Sequence, residues 1–119
     1  MRCIIAGSRD ATKWQVRFAI VACDWSLDIT EVVSGGARGA DRYGEEWARA
    51  CDIPVRKFPA LWGKYGKSAG QRRNTQMAQN ADALIAIWDG VSPGTEDMIQ
   101  QATSRHLLVS VYRTDKEKS

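Results

Sequence analysis

The chain has 119 residues, enough for one domain with a buried core and too few for two. At 44% hydrophobic and 26% charged it has an ordinary globular composition, and no apolar run reaches membrane-spanning length. The net charge of +3 is unevenly placed: Ile53 to Ala81 carries six basic residues (Arg56, Lys57, Lys64, Lys67, Arg72, Arg73) and no acid, while the remainder is slightly acidic. Such a patch suits a phosphorylated ligand or a nucleic-acid backbone, or forms a solvated loop.

In chain order, strands and helices alternate. Met1-Arg2-Cys3-Ile4-Ile5 enters a strand, Arg2 to Ala6, without a signal-peptide layout, so a cytoplasmic location is expected. Gly7-Ser8-Arg9-Asp10 closes that strand, and Ser8 or Asp10 can cap the next helix. Trp14, Phe18, Val21 and Trp25, spaced by four, three and four, predict a helix with one apolar, core-facing stripe. Asp28 to Val33 reads as a second strand. Ser34-Gly35-Gly36-Ala37-Arg38-Gly39 follows as a turn, and a helix runs from about Gly39 to Cys51 with Tyr43 or Gly44, Trp47 and Cys51 on one face and Glu45 and Glu46 solvated. Ile53 to Phe58 is a less regular third strand, Ala60 to Ser68 an aromatic loop, Ala69 to Asn80 a helix and Ala83 to Trp88 a strongly apolar fourth strand. Asp89-Gly90-Val91-Ser92-Pro93-Gly94-Thr95 opens another helix, with Ser92 or Thr95 as cap and Glu96 and Asp97 in its first turn. Leu107 to Tyr112 is the last strand, and 114–119 is a polar tail expected to fray beyond a domain spanning 1–113.

This alternation predicts an α/β fold: one Rossmann-like domain with a parallel sheet of about five strands and helices on both faces. Ligands of such sheets bind beyond the carboxyl ends of the strands, at a switch point. Three turns leave those ends here, Gly7-Ser8-Arg9, Ser34 to Gly39 and Asp89 to Thr95, and their convergence on one rim is the physical argument for a site. Backbone N–H groups at a helix start favour an anion, and Arg38 adds a fork of donors, so phosphate is expected on the Ser34 to Gly39 turn. Ala40 and Asp41 open the helix behind it, with Asp41 a candidate for a ribose hydroxyl or for the first-turn donors. Arg9, Arg73 and Asn74 are further ligand candidates, and Trp62, Tyr65 and Trp88 can stack on a base, Trp88 being best placed beside Asp89 and Gly90.

Other chemistries are less well served. His106 is the lone histidine and Cys3, Cys23 and Cys51 are scattered, so no metal site or cofactor is expected, and the cysteines suit buried thiols in a reducing compartment. Gly66-Lys67-Ser68 resembles the end of a P-loop, but Leu61 stands where its first glycine belongs. Gly35-Gly36-Ala37-Arg38-Gly39 is not the dinucleotide fingerprint either, its first two glycines being adjacent.

Gly7-Ser8-Arg9, Ser34 to Asp41, Arg73-Asn74 before Met77, Ala81-Asp82-Ala83 and Ser92 to Thr95 together resemble the SLOG superfamily, Rossmann-like binders of nucleotides and their derivatives. The likeness runs from about Arg2 to Arg113 and is nearest to the small YspA-like branch. The same skeleton resembles DprA, which binds single-stranded DNA, and the "Lonely guy" phosphoribohydrolases, which release the base from a nucleoside 5′-monophosphate. The resemblance implies that the Gly35 to Gly39 and Gly94-Thr95 turns cradle phosphate, and that Arg73 stands where the phosphoribohydrolases keep a functional arginine. Their second motif, Pro-Gly-Gly-x-Gly-Thr-x-x-Glu, is incomplete here, with Met98 at the glutamate position. Asp89 and Glu96 are the acids left to serve with Arg73 in catalysis. A nucleotide-derived ligand, single-stranded nucleic acid and a homodimer are the partners so implied, and no membrane.

Overall fold

The computed structural model describes residues 1–117. Five strands, β1 (Arg2–Gly7), β2 (Glu31–Ser34), β3 (Val55–Lys57), β4 (Ala83–Trp88) and β5 (Leu108–Arg113), form one parallel sheet in the order β3-β2-β1-β4-β5. The chain builds outward from β1 to β3, returns to lay β4 on the other side of β1, and ends at β5. The switch point is therefore the gap between the ends of β1 and β4, at Gly7 and Trp88.

Side-chain alternation assigns the two faces. Cys3 and Ile5 of β1, with Ile85 and Ile87 of β4, pack under α1 (Lys13–Val21) and α2 (Ala40–Ala50). Ile4 and Ala6, with Leu84 and Ala86, pack under α4 (Ala69–Gln79) and α5 (Pro93–Ser104) through Met77, Ala78, Met98 and Ala102. Burial on both faces explains why β1 and β4 are unbroken apolar runs. The fold class is as the sequence implies: α/β, five parallel strands, helices on both sides.

Several local expectations give way. Helix α1 is turned by about half a revolution from the expected orientation. Val16, Ala19 and Ile20 face the sheet, whereas Trp14, Phe18 and Val21 point outward at 75%, 65% and 81% exposure. Trp25 lies beyond the helix and is partly buried; Trp47, within α2, is partly buried too. The larger side chains made the more conspicuous stripe, but the smaller set fits the close helix–sheet contact. The cap of α1 is neither Ser8 nor Asp10 but Thr12, in a reciprocal capping box with Gln15. On α2 the buried residues are Ala40, Asp41, Gly44, Glu45 and Ala48; Cys51 is exposed, unlike buried Cys3 and Cys23. Gly44 leaves room for Ile5, whose Cγ2 lies 2.6 Å from where a Cβ would stand.

The second strand starts later than expected because Ser26–Asp28 is a 3₁₀ turn, and the third is shorter. The aromatic loop contains a short helix, α3 (Trp62–Tyr65), and Gly66–Ser68 is a 3₁₀ turn entering α4 rather than a phosphate loop after a strand. Thr114–Lys116 forms a 3₁₀ turn, and Glu117 accepts hydrogen bonds from Tyr112 and Gln15, so this part of the tail is tied down. Lys118 and Ser119 lie outside the described residues. No helix among the described residues is long and apolar enough to cross a membrane.

Candidate functional site

The three turns do meet. A cleft of about 900 Å³ opens at the switch point, lined by Gly7, Ser8, Arg9 and Asp10 after β1, by Ala37, Arg38 and Asp41 at the start of α2, and by Ser92 to Thr95 with Asp97 and Met98 at the start of α5. Helix α4 and the turn before it supply Lys67, Ser68, Gly70, Gln71, Arg73, Asn74 and Met77, and Trp62 stands at the edge, 54% exposed. A smaller hollow of about 220 Å³ adjoins it, between Gly35, Gly36, Pro59 and Ala60, and shares Arg9, Ala37, Arg38, Trp62 and Arg73.

Ser8 knits the rim together. Its N–H donates to the Ile87 carbonyl (2.9 Å), its carbonyl accepts from Ala11 and Ala40, and its hydroxyl accepts from the Asp89 N–H (3.2 Å). It is buried and holds the β1, α2 and β4 ends in place. Gly39 caps α2 at φ 79°, and a Cβ there would stand 2.4 Å from the Arg9 carbonyl oxygen, so only glycine fits that junction.

The Ser34 to Gly39 turn is largely self-satisfied. The Gly36 N–H donates to Ser34 Oγ (3.1 Å), and Ser34 Oγ in turn donates to Glu45 Oε2 (2.7 Å). The Ala37 N–H donates to the Asp41 carboxylate (3.3 Å). Glu45, expected to be solvated, is therefore buried beneath the turn, where it also meets Arg49 and Lys57 at 3.3 Å each. Its role was invisible in the sequence because Ser34, Arg49 and Lys57 reach it from three different elements.

Asp41 is 5% exposed; burial pushes its carboxyl up to about 6, against the opposing pull of the Ala37 N–H and the Arg73 charge. Arg73 reaches from α4 and donates through Nη1 to the Gly35 carbonyl (3.0 Å). A Cβ on Gly35 would stand 2.3 Å from Arg73 Nη1 and 2.8 Å from Asp41 Oδ2, so the two side chains flank this glycine closely. Arg73 Nε is buried and finds no acceptor among the described residues, a spare donor at the cleft wall.

At the start of α5, Asn74 is buried and donates to the Gly94 carbonyl (3.2 Å) and to Asp97 Oδ2 (2.9 Å), fixing this helix end against α4. The N–H groups of Gly94 and Thr95 belong to the first turn, where no carbonyl inside the helix can accept them. Ser92 sits at the cap position, but its hydroxyl donates back to Asp89 instead of to the helix start.

Two catalytic candidates, Asp89 and Glu96, and two stacking candidates, Trp88 and Tyr65, stand away from the cleft. The Asp89 carboxylate accepts from the Val91 and Ser92 N–H groups and the Ser92 hydroxyl, which hold it down to about 2. Gly90 completes that turn at positive φ. Glu96 is exposed on the outer side of α5, beside Gln100. Trp88 donates its indole N–H to the Ser92 carbonyl and has Arg113 over its ring; Trp62 is the tryptophan at the cleft. Trp62, one of the stacking candidates, is at the cleft, whereas Lys67, Asp97 and Met98 line it without having been picked out as its chemistry, since where α4 and α5 dock leaves no periodic sign in the sequence.

The basic segment does not form one patch. Lys67 and Arg73 face the cleft, Lys57 pairs with Glu45, Arg56 lies over Phe58 and donates to Asn80, and Lys64 and Arg72 lie over Tyr65. Among the described residues, Arg9, Arg38, Lys67 and Arg73 have no carboxylate within 4 Å.

Comparison with known proteins agrees with this architecture. Gene 61 protein of Mycobacterium phage D29 is 36% identical over 77 residues, which cover 60% of this chain and 62% of that protein. The matching segment thus spans less than two thirds of the relative. The model of the YAcAr family, the YspA, cpYpsA-related SLOG family, matches residues 1–65, the stretch from β1 through the Ser34 to Gly39 turn and α2 to α3. The chain belongs to the YspA, cpYpsA-related SLOG family.

Proposed function

We propose that this protein binds a nucleotide or nucleotide-derived ligand in the switch-point cleft, with phosphate between the starts of α2 and α5 and the base toward Trp62. Membership of a SLOG family supports nucleotide-related ligands in general terms. The observation that carries the specific reading is the set of four cations at the cleft, Arg9, Arg38, Lys67 and Arg73, without carboxylate partners among the described residues. Cationic side chains left unpaired around a concavity favour an anionic occupant. The open N–H groups of Gly94 and Thr95 and the buried Arg73 Nε add directed donors. Since the Gly36 and Ala37 N–H groups are already engaged, the Ser34 to Gly39 turn contributes through Arg38 and the cleft wall, and the α5 start supplies the free backbone donors.

A thermal-shift panel tests this reading: nucleosides, their mono-, di- and triphosphates, dinucleotides and a short single-stranded oligonucleotide. A phosphate-bearing nucleotide at about a hundred times its dissociation constant should stabilise the fold by roughly 2.7 kcal/mol, whereas the parent nucleoside should do far less. Absence of a shift with every phosphate-bearing compound at millimolar concentration overturns the proposal. A shift confined to the oligonucleotide, steeply weakened by salt, would assign the cleft to single-stranded nucleic acid instead.

A second reading, hydrolysis of an N-glycosidic bond, is favoured by one feature. Asp41, rather than Asp89 or Glu96, is the carboxyl group at the cleft poised near neutrality, with Arg73 beside it. It predicts slow release of free base from a nucleoside 5′-monophosphate, abolished in Asp41→Asn. Intact monophosphate after a day with micromolar protein rejects it.

A further inference from the structure

Arg73 and Asp41 flank Gly35 at the cleft without pairing. A Cβ on that glycine would stand 2.3 Å from Arg73 Nη1 and 2.8 Å from Asp41 Oδ2, yet among the described residues no cation comes within 4 Å of Asp41. A guanidinium beside a buried carboxylate ordinarily closes on it as a two-pronged pair. Here Arg73 gives Nη1 to the Gly35 carbonyl, its Nε is buried without an acceptor among the described residues, and Asp41 accepts from the Ala37 N–H. A spare donor and a half-used carboxyl thus line the same cleft.

The other acids around Asp41 are engaged or exposed. Glu45, one turn further along α2, lies against Arg49 and Lys57; Asp97 of α5 accepts from Asn74 and Gln101; Asp10, after β1, is exposed. Arg9 after β1, Arg38 ahead of α2 and Lys67 before α4 complete the charges of the cleft, all cations without a carboxylate within 4 Å among the described residues. Asp41 is therefore the buried carboxyl of the cleft. An anion that takes up Arg73 Nε comes to rest near it, and two like charges repel strongly where water screens them poorly. Protonated, the same carboxyl is neutral and has an O–H to donate. Burial already pushes it up to about 6, so the proton is within reach at ordinary pH.

We propose that Asp41 is a proton-operated gate on the anion seat at Arg73. The anion binds together with a proton on Asp41, and loss of that proton releases the anion. The coupling is reciprocal: the bound anion holds the proton in place, and acidification tightens the anion. This gate rests on the reading of the cleft as an anion site.

Sulfate is the probe, because it stays a dianion across the range and any pH dependence then belongs to the protein. The Arg73 Nε–H and the Gly94 and Thr95 amides are followed by NMR while sulfate replaces chloride at constant ionic strength. Wild type should bind sulfate about tenfold more tightly at pH 5.0 than at pH 7.5, the effect of one like charge nearby. Saturating sulfate should move the titration of the Asp41 carboxyl carbon to higher pH. Asp41→Asn should bind at both pH values within about threefold of wild type at pH 5.0, since its charge is gone throughout. His106→Asn alters the lone histidine, which lies outside the cleft, and should keep the wild-type ratio. A wild-type ratio below about twofold, or a ratio unchanged in Asp41→Asn, overturns the gate while leaving the cleft an anion site. No saturable change up to 100 mM sulfate at either pH removes the seat at Arg73 and the gate with it, and the nucleotide panel decides the binding reading separately.

Discussion

The starts of α2 and α5 look alike in sequence, glycine-bearing turns after strand ends on the same rim, yet they are built for different work. The α2 turn consumes its own donors: Gly36 gives its N–H to Ser34, Ala37 gives its N–H to Asp41, and Gly39 is wedged against the Arg9 carbonyl. The α5 turn spends Asp89 on Val91 and Ser92 before the helix begins and leaves Gly94 and Thr95 open to the cleft. A glycine count does not separate them; the placement of a carboxylate does. Where Asp41 lies behind the turn, its carboxylate takes up the Ala37 N–H of that turn. Where Asp89 lies ahead of the turn, the helix start remains free.

The sharpest way to break this contrast is at the two glycines. Gly39→Ala should destabilise the protein by about 3 kcal/mol or more, since it combines a backbone conformation reserved for glycine with overlap against the Arg9 and Ser8 carbonyls. A melting curve within a degree of wild type would show that the α2 turn is not the rigid element described here.

Next comes Asp41. Its carboxyl is raised to about 6 in the folded chain, above its unfolded value, so the folded state binds the extra proton. Stability on this account falls as pH rises from about 4 through about 6, and above that the ionised group costs on the order of 2 to 3 kcal/mol. Asp41→Asn, whose amide oxygen can still accept from Ala37, should therefore be more stable than wild type at pH 7.5 and no better at pH 4. Denaturant unfolding at the two pH values checks the sign, and a variant less stable at both would show that ionised Asp41 is needed by the turn.

At the cleft, Arg73→Ala should lower affinity for a phosphate-bearing ligand by about tenfold to a hundredfold, a range typical of losing a charge-assisted donor. Gly94→Leu should do the same by obstruction. Titration calorimetry of both variants with the panel's best ligand measures this, and full affinity in both would remove the α5 start from the site. The smallest effect belongs to Gly94→Ala. With open space around the position, its melting should stay within about 0.5 kcal/mol of wild type, the reverse of Gly39→Ala.

Much of the architecture was legible in the residues. The unbroken apolar runs of β1 and β4 required burial on both faces, and the turns after them pointed to the switch point, because backbone chemistry and hydrophobic period are local properties. The rim's convergence followed from the fold class alone. The orientation of α1 did not follow, since two apolar faces compete in its sequence and only the fit against β4 decides between them. Nor did the site's inventory. Arg73, Asn74 and the Ser92 to Thr95 turn were identifiable by motif and Trp62 as an aromatic candidate, whereas Lys67 and Asp97 reach the cleft only through the docking of α4 and α5 and the turn before α4.

The sequence by itself determined the element order, the parallel sheet and the three strand-end turns, since helix and strand periods and glycine positions are written residue by residue. Tertiary structure alone decided what each polar group faces. Glu45 is buried because Ser34 and Lys57 close on it from β2 and β3, and Asp89 is held in its own turn. Asp41 is raised because burial at the rim shuts out water, against the opposing pull of the Ala37 N–H and the Arg73 charge. Desolvation and hydrogen-bond partners depend on groups distant in the chain, and these assign a carboxylate to structure or to chemistry.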